Sequence, residues 1–262
     1  MKEDLVNVAQ TDQLDKLRHL LDLEIAQNPE FQTSHFPTPA INAACCTAVR
    51  SNNPATLGIL LDSGCPVMLD TIIDAVVLKH TAIVDCLFAH NWDINSNLGH
   101  RGDALIVAAH SGDLEIVQFL LSRGADPNSD NWAGAFNNAI EMAAFAGSIP
   151  VVDALLNAGA VLKGRSALGK AAYQGNVPMV TYLLERGAAI DEIPTNPYIV
   201  EDPSERDEKN ALCKAAWRGQ AAVVKFLLEK GADPSIRDTQ GRSALELAKA
   251  GGHESCVKLL DH

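Results

Sequence analysis

Between Gly112 and Asn128 apolar side chains recur at the spacing of a single helical face: Leu114, Val117, Leu120 and Leu121, with polar residues between them. Gly124 stops the run and Asp126-Pro127 turns the chain. The pattern returns at 175–190, GNVPMVTYLLERGAAI, and at 219–235, GQAAVVKFLLEKGADPS, with the same offsets from the first glycine to the Leu-Leu pair and on to Gly-Ala. Before each copy lies another short helical stretch ending in Ala-Ala: Ala108-Ala109, Ala171-Ala172 and Ala215-Ala216. Two short helices with one apolar face each cannot bury that face alone and must stack on neighbouring units. The pattern therefore predicts an all-α repeat solenoid.

The Leu-Leu positions set the register along the chain: Leu21, Leu61, Phe88, Leu121, Leu156, Leu184, Leu228 and Leu260, at intervals of 40, 27, 33, 35, 28, 44 and 32. About eight helix pairs fit, capping pairs included. Residues 1–27 read as an N-terminal capping pair, with Leu14, Leu17, Leu20 and Leu21 on one face and charge on the other. Internal repeats span 37–237. Residues 238–262 read as a C-terminal cap whose outer side carries Glu246, Lys249, Glu254 and Lys258. A repeat chain grows one unit at a time, so 262 residues are expected to form one repeat domain.

Thr38-Pro39 followed by Ala43 is a local match to T-P-L-H-x-A, which opens the first helix of the ankyrin repeat. With a short first helix, a G-x-x-x-V second helix, Leu-Leu and Gly-Ala-Asp, the whole chain resembles the ankyrin-repeat proteins. That resemblance implies stacked helix pairs joined by hairpin loops. It further implies a non-enzymatic module that binds a partner protein or peptide through a concave groove and the hairpin tips. The motif's histidine is missing throughout, with Ile41, Ile73, Ile106, Glu141, Gly169, Cys213 and Glu246 in its place. The short intervals of 27 and 28 predict two units that have lost most of their hairpin. The interval of 44 holds a long insertion, 191–210, with seven carboxylates against Arg206 and Lys209. Such an insertion reads as a solvated surface loop or, through its apolar island Tyr198-Ile199-Val200, as a segment folded over the groove where a hairpin is missing.

A net charge of −12 and a pI near 5.0 argue against nucleic acid and anionic membranes, both of which need a basic patch. No stretch is long and apolar enough to span a bilayer, and residues 1–10 lack the apolar run of a secretory signal. The six cysteines are scattered without a C-x-x-C pair and read as reduced thiols. A cytoplasmic or nuclear location is expected, with no metal and no cofactor.

Aligned on the register, the residue after each Ala-Ala is His110, Phe145, Tyr173 and Trp217, a column of rings lining the groove. Three residues before each ring stand Val107, Met142, Lys170 and Lys214, and Arg218 follows Trp217. The groove is thus expected to run from an apolar centre to a basic end that suits a partner with acidic groups. Trp92 and Trp132 sit near hairpins and join the expected partner-binding set, as does Tyr198. The alternative is a small-molecule or catalytic site on the same scaffold, with His110, Tyr173, Lys170 and Lys214 at its walls and the 191–210 loop as its cover. Phosphate-loop, nucleophile-elbow and zinc motifs are missing, and the ten-residue spacing of His80, His90, His100 and His110 matches no ligand pattern.

Overall fold

The computed structural model describes residues 2–11, 13–28, 37–129, 138–194 and 209–261. Among them the chain forms sixteen α-helices in eight successive pairs, and no strand beyond an isolated bridge between Arg237 and Ser243. The all-α repeat read from the apolar spacing is the observed fold. Contacts divide the chain into two compact units, Met1–Gly99 with Ser122–Ala125, and His100–Leu121 with Asp126–His262.

The first unit holds α1 (Lys2–Ala9), α2 (Leu14–Gln27), α3 (Pro39–Arg50), α4 (Pro54–Asp62), α5 (Leu69–Val77) and α6 (Thr81–Ala89). Helices α1, α3 and α5 pack in sequence, as do α2, α4 and α6. The connection 63–68 between α4 and α5 is short, as the 27-residue interval predicts. Trp92, Ile94 and Leu98 are buried beyond α6.

The second unit begins with α7 (Ala104–Ser111) and α8 (Leu114–Ser122), followed by α9 (Ala139–Ala146) and α10 (Ile149–Asn157). It continues through α11 (Ala167–Tyr173), α12 (Val177–Glu185), α13 (Ala211–Trp217), α14 (Ala221–Glu229), α15 (Ala244–Ala250) and α16 (Glu254–Leu260). Each first helix packs on the next: α7 on α9, α9 on α11, α11 on α13, α13 on α15. The Ala-Ala pairs make this approach possible. Ala108, Ala109, Ala143, Ala144, Ala171, Ala172, Ala215 and Ala216 are all fully buried, and a larger side chain there would push neighbouring helices apart.

In the second helices the first leucine of each Leu-Leu pair is the core residue. Leu120, Leu155, Leu183 and Leu227 are fully buried, whereas Leu121, Leu156, Leu184 and Leu228 are half-buried. Each fully buried leucine contributes about 1.5–3 kcal/mol. First helices begin at side-chain caps: Asp103 accepts from Ile106 N at 2.9 Å, Asn138 from Glu141 N at 3.1 Å, and Asn210 from Cys213 N at 2.8 Å. Ser243 forms a full capping box with Glu246. Helices α5 and α11 are exceptions, for neither Met68 nor Ser166 makes a side-chain cap.

Candidate functional site

The four aligned rings meet in one column on the second unit. His110 and Phe145 stack with centroids 5.8 Å apart, Phe145 and Tyr173 lie 6.3 Å apart, and Tyr173 and Trp217 5.9 Å apart. These separations fall in the range where aromatic pairs attract beyond simple burial, by about 0.5–1.5 kcal/mol each. The column is nonetheless open: His110 is exposed, Phe145 and Tyr173 are half-buried, and Trp217 is 45% exposed. Two cations cover ring faces at its C-terminal end. The Arg218 guanidinium lies 4.6 Å over Tyr173, and the Lys209 ammonium 4.8 Å over Trp217.

Side chains of the following unit hold the backbone under the rings. Gln220 Nε2 donates to Tyr173 O at 3.1 Å, His253 Nε2 donates to Trp217 O at 3.0 Å, and Gln174 Nε2 reaches Phe145 O at 3.4 Å. The turn after each ring must stay open for this. A Cβ on Gly219, whose φ is +73°, would stand 2.6 Å from His253 Nδ1. The backbone under Phe145, Tyr173 and Trp217 is therefore tied by inter-unit hydrogen bonds that the repeat pattern alone did not reveal.

Three residues before the rings, Val107 and Met142 are buried while Lys170 and Lys214 are half-buried, so apolar positions give way to basic ones along the unit. Lys214 Nζ donates to Ser166 Oγ, and Ser166 N donates to Glu141 Oε1 at 2.7 Å. Burial pushes the Lys170 ammonium below its ordinary value, with the Glu141 carboxylate opposing. Glu141, Ser166 and Gly169 did not figure among the expected site residues. Their one signal in the chain is a glycine inside a helical pattern and an acidic residue where the family's histidine stands.

The other expected residues fall elsewhere. Trp92 is not on an open hairpin tip: it is 7% exposed, its Nε1 donating to Ser96 Oγ at 2.9 Å, because the turn closed by Ser96 N on Asp93 O brings Ser96 to the indole. Trp132, Tyr198 and most of the 191–210 insertion lie outside the described residues. Of the four side chains grouped for a catalytic reading, Lys170 and Lys214 belong to the Glu141 cluster, whereas Phe145 stands between His110 and Tyr173. A pocket beneath the stems of the insertion, lined by Leu162, Arg165, Leu168, Glu192, Lys209 and Ala211, has a volume of about 10 Å³. That holds about one water molecule, far short of the few hundred Å³ a small organic ligand fills.

Helix pairs stacked first helix on first helix, with a strip of rings along one face of the second unit, define a helical-repeat solenoid. Profiles of ankyrin repeats match residues 45–131 (three copies), 163–196 (one repeat) and 200–248 (many copies). The chain belongs to the ankyrin-repeat proteins, a family whose repeats are generally protein–protein interaction modules. Comparison with curated proteins finds no match. Among the described residues no helix is long and apolar enough to cross a membrane.

Proposed function

We propose that the protein binds a partner protein or peptide along the ring column of its second unit, with His110, Phe145, Tyr173 and Trp217 as anchors. Lys170, Lys214 and Arg218 receive acidic groups of the partner. The observation that carries this reading is an aligned row of four neighbouring rings that stays at least partly open to solvent despite its apolar area. Open aromatic patches of this kind mark interaction sites, and rings held rigid lose little entropy on binding. In a chain of net charge −12, the concentration of cations beside Tyr173 and Trp217 favours an acidic partner surface. The cysteines, all free, are in keeping with a reducing cytoplasmic or nuclear setting.

The test is selection of peptides on the immobilised full chain, followed by affinity measurement on the Tyr173→Ala/Trp217→Ala double variant. A loss of about 2 kcal/mol or more, some thirtyfold in Kd, is expected for hot-spot rings. Binders indifferent to both substitutions would place the interaction surface elsewhere.

A further inference from the structure

Two positions in the repeat register carry buried apolar side chains from unit to unit. The first lies seven residues before the positive-φ turn that follows the first helix, and holds Leu105, Ile140 and Leu212. The second comes directly after the positive-φ glycine that follows the second helix, and holds Ala125, Ala160 and Ala232. In the repeat of α3 and α4 both positions are cysteine: Cys45, seven residues before Asn52, and Cys65, directly after Gly64. Both side chains are buried, and their sulfurs lie 3.2 Å apart, closer than a simple van der Waals contact. All six thiols are free, and among the described residues none of the other four hydrogen-bonds a second sulfur.

A branched aliphatic residue with an alanine fills these positions in the other repeats, so packing alone does not call for two thiols. As hydrogen-bond partners they add little, being weak donors and weak acceptors. What two adjoining thiols can do, and leucine with alanine cannot, is form a covalent bond. A disulfide holds its sulfurs at about 2.05 Å, so the pair must close by about 1 Å. The backbone beside Cys65 has room to yield. Gly64, at φ +89°, has no atom within 4 Å of the place a Cβ would take, and Cys65 stands outside any helix, in the 63–68 connection.

We propose that Cys45 and Cys65 are a modification site, a pair that hydrogen peroxide converts reversibly to a disulfide within the first unit. Cys65, on the connection, gives up its proton, and its thiolate attacks one peroxide oxygen. The O–O bond breaks, leaving a sulfenic acid on Cys65 and a hydroxide that takes the proton and departs as water. Cys45 sulfur then attacks the sulfenic sulfur. The S–S bond forms as the S–O bond breaks, and the second hydroxide leaves as water with the Cys45 proton. Two thiols and one peroxide thus give one disulfide and two waters. Contact with Cys65 and then burial raise the Cys45 thiol well above its ordinary value, which makes the reaction slow and reserves it for sustained oxidant. The bond joins α3 to the connection after α4, across twenty residues of chain, and so restricts the unfolded state.

The experiment takes the full chain, reduced and then freed of reductant, and treats it while folded with millimolar hydrogen peroxide. Peroxide is little larger than water and reaches a sulfur through an opening that stops a bulky maleimide. The product is alkylated in denaturant, digested with trypsin and weighed. The expected species is the 19–50 peptide joined to the 51–79 peptide, two hydrogens lighter than the separate pair, with Cys46 alkylated, and dithiothreitol should release it. The oxidised protein should melt higher by roughly 5–10 °C, and reductant should reverse the gain. Cys65→Ser should lose both the link and the gain in Tm. Three results would overturn the site: oxidation at Cys46 or Cys86 while Cys45 and Cys65 remain alkylatable, a link that forms only in denaturant, or a Tm that falls on oxidation. Because the wild-type digest reads the two cysteines directly, the test does not depend on the variant folding.

Discussion

His253 holds the backbone of Trp217: its Nε2 donates to the Trp217 carbonyl at 3.0 Å from the following repeat unit. The exposed Trp217 ring thereby has its backbone tied from behind, and the same arrangement recurs where Gln220 donates to Tyr173 O at 3.1 Å. A surface set by such hydrogen bonds meets its partner already ordered.

His253→Ala should cost about 1 kcal/mol, the net value of one such bond, which for a chain of this length lowers Tm by roughly 2–4 °C. Gly219→Ala should cost at least as much, since it places a Cβ in a positive-φ turn and against the His253 ring. Thermal melts of the two variants decide this; an unchanged Gly219→Ala protein would show that the turn yields freely.

Two tryptophans should behave oppositely. Trp217, 45% exposed, should tolerate alanine at a cost within about 1 kcal/mol. Trp92, 7% exposed, should lose about 3–5 kcal/mol on the same change. Urea unfolding measures both. A Trp217→Ala variant as damaged as Trp92→Ala would make the column part of the core rather than a surface.

Burial, the largest influence, raises the Glu141 carboxyl above its ordinary value of 4.5, against the Ser166 N–H and the pull of Lys170, Lys214 and Arg165. A carboxyl with a raised pKa in the folded state binds its proton more readily folded than unfolded. Its ionisation therefore opposes folding at neutral pH, and that penalty fades as pH falls through the folded value toward the ordinary one. Glu141→Gln should accordingly raise Tm at neutral pH, with the gain shrinking in acid. A variant melting lower than wild type at neutral pH would mean that pairing with the lysines outweighs desolvation.

Thiol labelling should follow burial. Burial raises the Cys46 and Cys86 thiols, but both remain half-buried and should react first with a maleimide. Cys45, held up first by its contact with Cys65 at 3.2 Å and then by burial, and Cys213, pushed by burial to about 12, should label only on unfolding. Mass spectrometry of partly labelled native protein reads the order; early modification of Cys213 would reveal local opening of α13.

The apolar spacing and the Ala-Ala, Leu-Leu and glycine signals were enough to determine eight helix pairs, the two units with short connections, and the alignment of His110, Phe145, Tyr173 and Trp217. These are local and periodic properties, since a residue's place on a helix face follows from counting along the chain. Counting could not decide what depends on side chains meeting across units. Trp92 is buried beyond α6 with its indole N–H on Ser96, and the clamps on the ring carbonyls come from Gln220 and His253 one unit away. Likewise Gly169, an apparent helix defect in sequence, becomes the passage for Lys214 toward Ser166 and Glu141 only when α9, α11 and α13 are packed together. Burial and desolvation belong to that packed arrangement, and they convert ordinary charged residues into a candidate binding site.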